Sequence, residues 1–200
     1  MRLLNILVTS VLALGLTACS TTWQATNHYD EFTDSAICRV EKGTQGQKDF
    51  VRGFTGVYFT QNFYAENHDG EIRAGIRTYP PLPIGGDVQI KVGETLYSLT
   101  SKDTPIDVAP VMPKAEFPQD HFGQAYGEAM ETITQSIQAS SSPYRAYTGK
   151  KAMALLKDMA STKGEVKFRT VGVNKATSGT ASFMIDESFA KALAECGIDL

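Results

Sequence analysis

The chain opens with a leader that decides which chemistry is open to everything after it. Arg2 supplies a positive start, and Leu3 to Leu16 is an uncharged run dominated by Leu, Ile, Val and Ala. A charged n-region followed by a short apolar h-region is the layout of a secretory signal. The run is short for a transmembrane helix, which needs about 20 apolar residues. It ends at Leu16-Thr17-Ala18-Cys19, with small residues ahead of a cysteine. An exported chain folds where disulfides are permitted, so its cysteines are candidate staples for the fold.

All four positions of Leu16-Thr17-Ala18-Cys19 fit the lipobox, and the leader resembles that of bacterial lipoproteins. The resemblance implies diacylglycerol on the Cys19 thiol, cleavage before Cys19 and an acyl chain on the new N-terminus. Each buried methylene is worth about 0.8 kcal/mol, so several chains together anchor a protein for good on cellular timescales. Ser20, rather than Asp, follows the cysteine. That implies an outer-membrane lipoprotein, expected to face the periplasm.

Of the three cysteines, Cys38 and Cys196 then remain. One opens the expected domain and the other nearly closes it, so a Cys38–Cys196 bridge is expected. The chain-entropy account gives about 5 kcal/mol for so long a loop. Neither cysteine has a neighbour at metal-ligand spacing, and no metal or cofactor is expected. Removing Arg2 with the leader changes the formal charge from −3 to −4, which disfavours a nucleic-acid partner. Hydrophobic residues make up 42% of the chain, enough for one packed domain after the leader. The expected layout is a signal peptide over 1–18, a lipidated N-terminus and tether over 19–35, and one domain over 36–200.

Ser20 to about Asp34 reads as the tether, polar and able to span at most about 50 Å. Trp23 within it suits either the lipid interface or packing on the domain. His28 and the nearby acids read as solvated charges. The domain's first half reads as antiparallel strands. Ala36 to Glu41 carries Cys38, and a turn at Gly43-Thr44-Gln45-Gly46 follows. Phe50 to Ala65 is rich in aromatic and β-branched residues and reads as one long strand. Asp69-Gly70 signals a hairpin, with Glu71 to Tyr79 as its return strand. Ile72, Ala74 and Ile76 form the apolar face of that strand, and Arg73 and Arg77 lie on the other. Across the hairpin, Arg73 and Arg77 are placed to stack on Tyr58 or Tyr64, at about 0.5–1 kcal/mol per exposed contact. Tyr58, Tyr64, Arg73 and Arg77 form the candidate binding surface, suited to an anionic ligand, a carbohydrate or a protein.

Pro80-Pro81-Leu82-Pro83 ends that sheet section. Asp87 to Val92 and Thr95 to Thr100 form a second hairpin around Gly93-Glu94. Four prolines between Ser101 and Pro118 imply an extended loop. Gln119 to Ala139 has helical period, with Phe122, Tyr126, Ala129, Met130, Ile133 and Ile137 on one stripe expected to face the core. Lys150 to Ser161 is a second amphipathic helix. Strands follow at Glu165 to Val173 and Thr180 to Ile185. Asp186 then caps a last helix, Glu187 to Glu195, that buries Phe189 and Leu193.

This closing order, carried by Met159, Gly164, Val166, Phe168, Arg169, Phe183, Phe189, Ala192, Leu193 and Cys196, resembles the invasion-associated locus B family. It is similar also to related type VI secretion accessory proteins. The resemblance implies a β-sandwich with a disulfide and a role at the cell envelope, with no catalytic residues to carry over.

Ser188 and Lys191 match S-x-x-K, but S-D-N and K-T-G are absent, and helix capping explains the serine. His28, His68 and His121 lack zinc spacing, and no G-x-S-x-G or P-loop occurs. The fold expected is α+β, an antiparallel sheet or sandwich with two or three helices packed on one side. The function expected is non-enzymatic: an anchored envelope lipoprotein that binds or supports another envelope component. The alternative is a periplasmic lipoprotein binding a small molecule or glycan in a pocket.

Overall fold

The computed structural model describes residues 22–42, 51–52, 58–106, 126–130, 132–134, 137, 141–172 and 174–200. The leader, Cys19, Phe122, His121 and most of the proline-rich loop lie outside them.

The architecture is α+β, with two antiparallel sheets over one core. The strands are β1 (Trp23–Asp30), β2 (Ser35–Lys42), β3 (Val51–Arg52), β4 (Tyr58–His68), β5 (Glu71–Tyr79), β6 (Gly86–Val92), β7 (Thr95–Leu99), β8 (Tyr144–Thr148), β9 (Glu165–Gly172) and β10 (Ala181–Met184). One sheet has the order β1-β2-β4-β5-β8, with β3 pairing β4; the other has the order β10-β9-β6-β7. A helical segment, α1, is described at residues 126–130, 132–134 and 137. Two further helices are α2 (Gly149–Thr162) and α3 (Glu187–Glu195). α2 packs on β5 and β8, and α3 on β1 and β2.

Alternation places the core. Val40, Ala65 and Ala74 sit opposite one another across β2, β4 and β5, and Phe63 sits opposite Ile76. On the second sheet Val88, Ile90, Val92, Val166, Phe168 and Phe183 are buried with them in one cluster. Phe63 stacks on Phe183 at 5.1 Å between ring centroids, joining the two sheets. The Asp69-Gly70 turn forms as expected, with Gly70 at φ +92°, where a side chain would be strained. Gly75 answers to packing: a Cβ there would meet the Arg145 carbonyl oxygen of β8 at 2.0 Å. Asp186 caps α3 by accepting from the Ser188 N–H at 2.9 Å. Cys38 and Cys196 are bridged, with Cα atoms 5.3 Å apart and 158 residues between them in sequence.

Four expectations are corrected. The segment Ser20 to Asp34 is not a free tether, because β1 occupies most of it as the edge strand beside β2. Trp23 holds β1 in place. Its indole is 4% exposed, lies edge-on to Phe63, Phe183 and Phe189, and donates to the Met184 carbonyl at 3.1 Å. The outward residues of an edge strand are polar, which is why its composition reads as a linker. Second, Phe50 to Ala65 is not one strand: Val51 pairs with Phe59 and Arg52 with Tyr58, antiparallel. Third, β8 was not anticipated. Its Arg145 is 1% exposed and donates to the carbonyls of Ile84 at 2.6 Å, Gly86 at 2.9 Å and Tyr144 at 2.9 Å, tying β8 to the start of β6.

The fourth correction concerns α1. Its stripe does not face the core: Tyr126, Met130, Ile133 and Ile137 are 49%, 39%, 51% and 57% exposed, and Ala129 is exposed too. Period alone states that a helix face is apolar, not what covers it. Here α2 and α3 take the helical places against the sheets.

Candidate functional site

The face of the first sheet turned away from the aromatic core is charged. A hairpin closed by Asp69-Gly70 sets its register: His68 opposes Glu71, so Glu66 opposes Arg73, Tyr64 opposes Gly75 and Asn62 opposes Arg77. β2 extends these rows, with Arg39 opposite Glu66 and Glu41 opposite Tyr64. β8 brings Tyr144 opposite Arg77. Side chains directly across a sheet share a face, so one row reads Arg39–Glu66–Arg73.

Distances follow that register. The Glu66 carboxylate is 4% exposed and lies 2.8 Å from the Arg39 guanidinium and 3.8 Å from that of Arg73. Arg73 also pairs with Glu71 at 2.8 Å. Arg77 holds Glu41 side-on, Nε to Oε1 at 2.6 Å and Nη2 donating to Oε2 at 2.8 Å. Arg39 lies over the Tyr64 ring, 5.8 Å from its centroid. Tyr64 meets Tyr144 edge-on at 6.4 Å. The Tyr144 hydroxyl donates to the Pro105 carbonyl at 3.0 Å.

Burial governs the electrostatics. Desolvation pushes Glu41 above the ordinary carboxylate range, although Arg77 and Arg39 pull the other way. Desolvation, reinforced by Glu66, pushes the Tyr64 phenol well above its ordinary value. Beside this network lies a cleft of about 210 Å³, lined by Arg39, Tyr64, Glu66, His68, Arg77 and Tyr144 among others. His68 Nδ1 is buried there with no hydrogen-bond partner among the described residues. The cleft offers donors from guanidinium edges and acceptors from carboxylates, the mixture that polyhydroxylated ligands engage.

Of the four residues expected to form a binding surface, Tyr64, Arg73 and Arg77 share this face. Tyr58 opens β4 opposite Arg52, and its side chain lies outside the described residues. The cation over Tyr64 comes from β2, as Arg39, and Arg77 is engaged by Glu41 instead. Glu66 was overlooked, although the two-residue turn already places it opposite Arg73. Arg39 and Glu41 were legible as the alternate face of the Cys38/Val40 strand. Tyr144 had no local signal.

The other candidates are placed as follows. Ser188 Oγ accepts from the Trp23 N–H at 2.9 Å and pairs closely with Asp186, so the S-x-x-K serine is engaged in holding β1 on α3. Among the described residues, no group of three His, Cys, Asp or Glu side chains converges as a metal site. Cys19 lies outside the described residues. Comparison with protein-family models, with curated proteins and with solved structures found no match to this chain.

Proposed function

We propose that this chain is a lipid-anchored lipoprotein of the bacterial outer membrane, facing the periplasm, that binds another envelope protein without catalysing a reaction. One observation carries the reading: α1 presents Tyr126, Met130, Ile133 and Ile137 outward at i, i+4, i+7 and i+11. That spacing is how an amphipathic helix anchors in an apolar groove of a partner. Between Ala115 and Tyr144 the chain carries Glu116, Asp120, Glu128 and Glu131 and no Lys or Arg. An acidic helix suits a groove with a basic rim and suits an anionic membrane surface poorly. Cys19 supplies the anchor in this reading, and the Cys38–Cys196 bridge fits an exported chain.

The test is a photoreactive side chain at Ile133 in the full chain, expressed in cells. A discrete adduct with one envelope protein is expected, lost with Ile137→Asp and kept with Phe32→Asp. No adduct, or one indifferent to Ile137→Asp, counts against the reading. A second reading, a glycan binder, is supported by the Tyr64 cleft. It predicts calorimetric binding of envelope-derived sugars that Tyr64→Phe and Arg77→Ala both weaken.

A further inference from the structure

The outer face of the β10-β9-β6-β7 sheet combines cations with exposed apolar residues. Register places Ser182, Lys167, Lys91 and Leu96 in one row across its four strands. Lys91 therefore stands directly opposite Lys167, a like-charge pair that works against sheet stability. Arg169 lies in the next row, donating Nε–H to Gln89 at 2.9 Å. Glu94 and Glu165 approach the lysines at 3.5 and 3.3 Å, in exposed pairs of the kind that contribute little. Leu96 is 59% exposed and Met184, on the same face, 51%. A groove of about 400 Å³ runs between Leu96, Lys91, Lys167 and Arg169.

The position of β1 relative to Cys19 bears on the surroundings of this face. Trp23 starts β1, four residues beyond Cys19. Four residues reach at most about 14 Å, far less than the length first expected of a tether. Trp23 Nε1–H and Lys42 Nζ both donate to the Met184 carbonyl, at 3.1 and 2.7 Å. A lipid on Cys19 would therefore hold the Met184 corner of this sheet near the bilayer.

We propose that the outer face of the β10-β9-β6-β7 sheet lies against the lipid bilayer, with Lys91, Lys167 and Arg169 on headgroup phosphates and Leu96 and Met184 at the headgroup–acyl boundary. The inference rests on lipidation of Cys19, and the two are tested separately. Phe32, fully exposed in the turn after β1, is the control, because it is at least as apolar but lies past the end of a strand that runs about 23 Å from Trp23 to Asp30.

The experiment places a photoreactive side chain at Leu96, Met184 or Phe32 of the full chain in a bacterial host. Membrane retention reads the anchor; lipid adducts in the retained fraction read the orientation. Retention with adducts at Leu96 and Met184 but not Phe32 is expected. Lys91→Glu with Lys167→Glu should then lower the Leu96 adduct by about fivefold or more, at unchanged retention. Retention with adducts at Phe32, or at none of the three, overturns the orientation and leaves the anchor standing. Loss of retention in the parent chain, or retention that Cys19→Ala leaves intact, overturns the anchor and this proposal with it.

Discussion

Opening the Cys38–Cys196 bridge should cost a large share of the stability of the fold. The perturbation is the double variant Cys38→Ala, Cys196→Ala, which removes the link without burying a new polar group. The bridge closes a loop of 158 residues. In the chain-entropy account a loop of that length removes roughly 17 cal/mol/K from the unfolded chain, or about 5 kcal/mol at 25 °C. Most of the effect should lie in the unfolded state, because α3 is also held on β1 and β2 by its buried Phe189 and Leu193. A domain of this size shifts by about 2–4 °C per kcal/mol, so the melting temperature should fall by about 10–20 °C. The slope of unfolding against urea should also rise, since the unlinked chain exposes more surface. Trp23, the one tryptophan, reports both transitions from inside the aromatic cluster. A fall of less than about 4 °C with an unchanged slope would refute the argument. Loss of the native Trp23 signal at low temperature would show instead that the bridge acts by docking α3.

Arg145→Met should cost about 3–6 kcal/mol in urea denaturation, since it leaves the carbonyls of Ile84, Gly86 and Tyr144, and the more distant one of Ser142, without this donor; an unchanged midpoint would mean that water replaces the guanidinium. Glu66→Gln should destabilise by about 2–3 kcal/mol, because Arg39 and Arg73 lose the charge between them; a change under about 0.5 kcal/mol in the same assay would show that both arginines relax into solvent. Tyr97 is pushed up to about 12 by burial and by its bond to the Asp158 carboxylate. Because that lies above the ordinary 10.0, its contribution to stability is complete below pH 10 and is lost as pH rises from there through 12. Absorbance titration should show late phenols from both Tyr64 and Tyr97, and Tyr97→Phe should remove one phenol's share of that late absorbance; an unchanged late amplitude in that variant would show that Tyr97 titrates normally.

The two candidate surfaces make different demands on the sequence. The α1 stripe is a period that a one-dimensional reading detects, but exposure decides its meaning. The charged face of the first sheet is the reverse. Its arginines were visible, and their neutralisation by Glu41 and Glu66 depends on two neighbouring strands. Arg73 was legible as facing away from Ile72, Ala74 and Ile76. That it shares Glu66 with Arg39 required β2 to lie on the other side of β4.

Local chemistry alone determined much of the fold. Alternation over β5 and β6, the Asp69-Gly70 and Gly93-Glu94 turns, the Asp186 cap and the spacing of Phe189 and Leu193 each act within a few residues, so they read directly from the chain. The pairing of Cys38 with Cys196 followed once Cys19 was set aside, and the structure bridges them. Tertiary structure decided the rest. β1 is a strand because Trp23 finds Phe63, Phe183 and Phe189, each far away in sequence. β8 is a strand because Gly75 lets it approach β5 and Arg145 finds carbonyls at the start of β6. Edge strands carry half their pattern outward into water, so their local signal is weak, and only long-range register supplies the partners that hold them.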